Sequence, residues 1–325
     1  MSDQGDFDGT VPAPNPFGSD EAYIIPTVVE EPRPQAGYPP PRRGRRVRLP
    51  LLLFIATCLS TFMAGGHFAV GVGRGLSDLR VYFDFRDGLT YGLAIMTILV
   101  FHEMGHFLQA RRYGVRSSFP FFLPMPISPL GTLGAVIAME PRIGDRKALF
   151  DIGITGPLAG LVPTLVCCVV GVQIANAPAP VGTYTTQFGD PLLLKLLYQW
   201  RFGPLPAGWD VPINPVLWAG WVGLLVTSLN LIPIGQLDGG HVLYAIMRKR
   251  AHLVATLLLL GAAVAVIGFG YVWWTLMLVL LVLMGPKHPP TAGDDVPLGT
   301  WRYVLGWLML AFIVIGFTPT PFVRV

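Results

Sequence analysis

Charge is scarce in this sequence. Only 13% of the 325 residues are Asp, Glu, Lys or Arg, about half the roughly 25% of a soluble globular domain. With 52% hydrophobic residues and a mean hydropathy of +0.56, that scarcity excludes an ordinary soluble enzyme. Cysteine is scarcer still: Cys58, Cys167 and Cys168 all sit in apolar runs. Their spacing suits neither a disulfide framework nor a thiolate metal site, so they read as small core residues. No signal peptide is expected either, because the first apolar run begins near residue 50 behind a long polar segment. No internal repeat is present. The connection at about 176 to 213 is too short for an inserted globular domain of ordinary size. The net charge of +4 matters in such a chain through its distribution, and no nucleic-acid partner is expected.

What is present is a series of apolar runs long enough to cross a bilayer, each needing roughly 17 to 25 residues. They fall at about 50–72, 88–110, 149–175, 214–234, 252–269, 270–286 and 302–318. The stretch 252–286 also reads as one long span plus a buried piece. The expected fold class is therefore an all-α polytopic membrane protein with six to seven transmembrane helices, embedded in a lipid bilayer. Residues 1–49 carry nine prolines and no apolar periodicity, the composition of a disordered tail. The membrane domain is expected over 50–325, with a functional core at about 88–250.

Orientation follows from the basic residues. The tail ends in Arg42, Arg43, Arg45, Arg46 and Arg48, and placing it inside puts seventeen of the 23 Lys and Arg on the inner side. That asymmetry predicts a cytoplasmic N-terminus, in a cell membrane of bacterial inner-membrane type. Residues 119–140 are apolar but hold Pro120, Pro124, Pro126 and Pro129, which a continuous helix does not tolerate. Gly131 to Glu140 has β-branched content, so the segment is expected to form a re-entrant β-hairpin on the cytoplasmic side. On the outer side, LLLKLLYQW places Tyr198 and Trp200 where an interfacial segment would.

Inside the second span lies His102-Glu103-Met104-Gly105-His106. On a helix, positions i and i+4 share a face, so both imidazoles can hold one metal ion while Glu103, turned about 100° away, borders the same site. Ionisable groups inside a span are costly, which argues against coincidence. A catalytic zinc site wants three protein ligands and an open position. Asp238, in NLIPIGQLDGGH, is the strongest third candidate, because Pro233, Gly235, Gly239 and Gly240 break the fourth span there. Glu140, at the hairpin's end, stays open as an alternative. Asp151 suits the N-terminus of the third span, His67 lies at the wrong side of the membrane, and His241 is nearer the surface. Counted back from Arg111 and Arg248, His102, His106 and Asp238 lie in one layer within roughly 15 Å of the cytoplasmic edge.

HEMGH at 102–106, GTLGAVIAM at 131–139, GPLAG at 156–160 and NLIPIGQLDGG at 230–240 together resemble the site-2 protease family of intramembrane zinc metalloproteases, over roughly residues 50–286. The GTLGAVI stretch is most similar to the branch found in bacteria and plastids, and no segment is long enough for the PDZ domain of many relatives. The resemblance implies one Zn2+ per chain held by His102, His106 and Asp238, with Glu103 as catalytic acid/base. It also implies that Asn230 and the strand carrying Gly131, Thr132 and Gly134 face a transmembrane protein substrate. GPLAG is assigned to close helix packing. The rival readings are a catalytically inactive membrane-protein binder and a metal or proton transporter. The intact motif argues against the first, and ionisable groups confined to one layer against the second.

Overall fold

The computed structural model describes residues 47–71, 79–139, 144–180 and 187–323. Most of the expected tail, and Glu140, lie outside the described residues. The chain is mostly helical. Helix α1 (Arg48–Gly66) runs into a hairpin of β1 (His67–Gly71) and β2 (Leu79–Phe83), followed by α2 (Phe85–Arg112). A second hairpin, β3 (Phe121–Met125) and β4 (Gly131–Val136), leads to α3 (Arg146–Gln173) and the short α4 (Leu192–Phe202). Then come α5 (Pro215–Asn230), α6 (Asp238–Met247), α7 (Arg250–Ala263), α8 (Thr275–Met284) and α9 (Thr300–Gly316). Both hairpins are antiparallel.

Among the described residues, four helical stretches are long and apolar enough to cross a membrane: α1, α2, α3 and Arg250–Gly268, in which α7 continues as a π-helical turn. Helices α5 and α9, and α8 with the turn before it, are apolar but shorter. This is a polytopic membrane architecture. The first helix ends six residues earlier than its hydropathy predicts, because the chain turns into the β1–β2 hairpin at His67 while still apolar.

The core lies where α2, α3 and α5 meet, around Tyr91, Ile95, Leu99, Cys168, Leu217 and Trp221. Here the glycines of α2 and α3 matter: a Cβ on Gly105 would strike the backbone of Thr155, and one on Gly160 would crowd His102. Helix α3 starts at Arg146 rather than 149, so Asp145 takes the N-cap, its side chain accepting from Ala148 N at 2.7 Å. Asp151 therefore does not serve the helix N-terminus. It accepts two hydrogen bonds from Arg302, both at 2.8 Å, and ties α3 to α9.

The β3–β4 hairpin expected within 119–140 is present and rests on α1 and α2. Ser60 Oγ donates to Gly131 O at 2.5 Å, and the Tyr91 hydroxyl donates to Leu130 O at 2.7 Å. Gly131 has φ +72°, and a Cβ there would meet the α1 backbone at Thr61. A side chain would thus be excluded twice over, by conformation and by space.

In the outer connection, Trp200 is exposed as an interfacial residue should be, but Tyr198 is only 3% exposed and belongs to the core. Burial, then the nearby Asp210 carboxylate, pushes the Asp190 carboxyl up to about 7. A carboxyl that binds its proton more tightly folded than unfolded costs stability as pH rises from the unfolded value, about 4, through 7. Asp190→Asn is expected to raise the melting temperature of the detergent-solubilised protein at pH 8 and leave it nearly unchanged at pH 4. Equal shifts at both pH values would contradict this.

Candidate metal centre

Helix α2 presents His102 and His106 one turn apart, both buried, with Glu103 buried beside them. The third group arrives from a different helix. Helix α5 ends at Asn230, residues 231–237 form a tight turn, and α6 begins at Asp238. Glycine is required at two places: in the turn Gly235 has φ +60°, and at the start of α6 a Cβ on Gly239 would fall on the carbonyl of Leu231. Asp238 thereby stands at the first position of α6, aimed back at α2.

The donor atoms converge. His102 Nε2 is 3.2 Å from Asp238 Oδ2, His106 Nε2 is 3.3 Å from the same oxygen, and the two imidazole nitrogens are 3.2 Å apart. A tetrahedral ion bonded at roughly 2.0–2.1 Å needs donors roughly 3.3 Å apart, so the triangle has the size of one tetrahedral face. Hydrogen-bond chemistry agrees. His106 Nδ1 lies 2.7 Å from Ile152 O, and a carbonyl only accepts, so Nδ1 carries the proton and Nε2 presents its lone pair. In the neutral ring that lone pair faces the Asp238 oxygen, itself an acceptor, and a cation between them, metal ion or proton, resolves the opposition. Among the described residues this is the only group of three or more His, Cys, Asp or Glu side chains so placed.

GPLAG makes room for the rings. A Cβ on Gly156 would fall on the His106 imidazole. Gly156→Ala is expected to weaken metal binding by on the order of 10–100-fold, as displacing a ligand's support typically does. Gly261→Ala, where a Cβ meets nothing within 4 Å, is expected to have no effect. Chelator competition measures both.

A cavity of about 340 Å³ opens on this centre. Glu103, His106, Asp238 and Asn230 line it together with Ala135, Val136 and Ile137. Asn230 Nδ2 is 3.2 Å from His102 Nε2. Of the strand residues read from the sequence, Gly131 and Thr132 face away from the cavity toward the hairpin and α1: the Thr132 hydroxyl donates to Leu123 O at 3.0 Å. Gly134 has φ +97° with open space beside it. It is the following residues, from Ala135 on, that reach the cavity. His241 also lines it, as do His288 to Thr291, which no spacing in the sequence marks out. The only signal for them is a lone histidine beside two prolines directly after an apolar run.

A family model described as peptidase family M50, the site-2 protease family, matches residues 90–268, more than half of the chain. The chain belongs to peptidase family M50. Among relatives of this M50 chain, the probable zinc metalloprotease EGY1, chloroplastic, of Arabidopsis thaliana is 28% identical over 90% of this chain and 60% of its own length. Its namesake in Oryza sativa subsp. japonica is 32% identical over 74% of this chain and 42% of its own length. The probable zinc metalloprotease EGY2, chloroplastic, of Arabidopsis thaliana is 29% identical over 76% and 45%. The chain thus spans about half the length of these relatives. Their names describe plant chloroplast proteins and give no support to the expectation of a bacterial cell membrane. No solved structure matches the M50 chain significantly.

Proposed function

We propose that this chain is an intramembrane zinc endopeptidase that hydrolyses a peptide bond within or next to a transmembrane segment of a membrane-protein substrate. One observation carries the reading: two imidazoles and a carboxylate from two helices form a triangle of 3.2–3.3 Å edges, with Glu103 on the same cavity. His102, His106 and Asp238 would hold the zinc. A zinc ion held there supplies Lewis acidity, drawing electron density from the scissile carbonyl and lowering the pKa of water.

The chain's own residues do the rest. Glu103 takes a proton from the attacking water and returns it to the departing amide nitrogen. Asn230 donates its amide hydrogen to the substrate carbonyl or backbone. A substrate helix must unwind before cleavage, and a strand edge replaces its lost hydrogen bonds. The segment from Ala135 is suited to that because it borders the cavity, whereas Gly131 ties the hairpin to α1 and Thr132 braces it from within. Comparing the membrane proteins that accumulate with wild-type and with Glu103→Gln chain tests this function. Identical membrane proteomes would count against it.

In the orientation we favour, the N-terminus and the metal centre lie toward the cytoplasmic side, and α5, α8 and α9 join the four longer helices as spans. A cysteine at Ala207 should then react with an impermeant reagent from outside, and one at Gly144 should not, each compared with the unsubstituted chain. The reverse pattern would invert this orientation. The tail supplies no candidate ligand, so deleting residues 1–40, which spares the arginine cluster, is expected to leave zinc content and cleavage near wild type.

A further inference from the structure

The cavity has a second wall that the chemistry above does not use. Pro289, Pro290 and Thr291, from the connection between α8 and α9, line the same space as the metal centre. That connection lies beyond residues 90–268, which the family model matches.

The connection is fastened to the helix that bears Asp238. His288 Nδ1 is 2.6 Å from Pro289 O and so carries a proton, which leaves Nε2 to accept from His241 Nδ1 of α6 at 2.7 Å. The His288 ring stacks on Tyr244, also of α6, with centroids 4.6 Å apart, and His252 Nε2 of α7 lies 3.1 Å from His288 O. The Tyr244 hydroxyl donates to Asp294 at 2.7 Å, and Asp294 accepts from both the backbone N–H and the hydroxyl of Thr291. His288 and Leu298 are buried, while Pro289 and Pro290 between them are exposed on the cavity. It is a strap anchored on both sides of two exposed prolines.

The two walls differ in chemistry. The segment after β4 offers backbone donors and acceptors; Pro289 and Pro290 have no N–H to donate and present apolar rings instead. The remaining space, about 340 Å³, is at the low end of the roughly 300–1,000 Å³ of ligand sites. We propose that the 288–291 strap is the specificity wall of the cleft, where Pro289, Pro290 and Thr291 pack against the substrate side chains flanking the scissile bond and favour small ones. His241 and His288 are positioning residues that hold the wall on α6. The inference rests on the protease reading above.

The test uses the full-length chain in membranes with model transmembrane substrates that differ only in a small or a bulky residue beside the cleaved bond. Pro289→Ala/Pro290→Ala is expected to raise the bulky-to-small ratio of kcat/KM about tenfold, the discrimination a methylene or two provides in an apolar pocket, with zinc content unchanged. In a Glu103→Gln background, a photocrosslinking phenylalanine analogue at position 290 or 137 should capture the substrate. The same analogue at Pro297, exposed on the same connection but off the cavity, should not. Capture at 137 without capture at 290, or an unmoved substrate ratio, would overturn the wall while leaving the protease reading intact. Absence of Glu103-dependent cleavage by the wild-type chain would remove both.

Discussion

Glu103→Gln is expected to lose peptide hydrolysis by a factor of about 10²–10⁴ while keeping its full complement of zinc. Glutamine has nearly the shape of glutamate, so the buried position beside His102 and His106 is filled without repacking. The amide cannot accept the proton of the attacking water, and Glu103 is not among the three converging donors. Metal content measured on purified protein, alongside cleavage of a model transmembrane substrate, separates the two effects. Loss of zinc in this variant would make Glu103 a ligand; retained cleavage would remove it as acid/base.

Zinc content should fall from about one per chain to near none in His106→Ala and in Asp238→Ala. Each removes one corner of a triangle whose edges are 3.2–3.3 Å, and the two donors that remain hold zinc far more weakly than three. The Asp238 variant is the more informative. It leaves both imidazoles of α2 in place, so a fall in zinc would report the third corner alone. Full zinc retention there would bring back Glu140, which lies outside the described residues.

Several elements were legible in the sequence because their causes are local. The pairing of His102 with His106 needs only the 3.6-residue turn, and α2 forms over Phe85–Arg112 where the second apolar run was read. The proline-rich 119–140 segment excluded a helix by the missing N–H groups, and β3–β4 stands in its place. Boundaries were less legible. Hydropathy carried the first span to residue 72, yet α1 stops at Gly66, since apolar composition does not distinguish a helix from the hairpin that follows it. Asp151 read as a helix-terminal residue for want of any sign that Arg302, 151 residues on, would claim it.

By itself the sequence determined the membrane class, the imidazole pair and a break over Pro233 to Gly240, all set by composition, helical periodicity or Pro and Gly backbone limits within a few residues. Only the tertiary structure decided that Asp238, 136 residues from His102, closes the triangle. The same packing brought Ala135 to Ile137 to the cavity rather than Gly131 and Thr132, and brought His288 to Thr291 to the same cavity. Those outcomes depend on how closely α2, α3 and α6 approach, and that distance is set by glycines such as Gly105 and Gly156 meeting backbone and rings from other helices. A spacing along one helix repeats every 3.6 residues and can be counted; a contact between helices has no period.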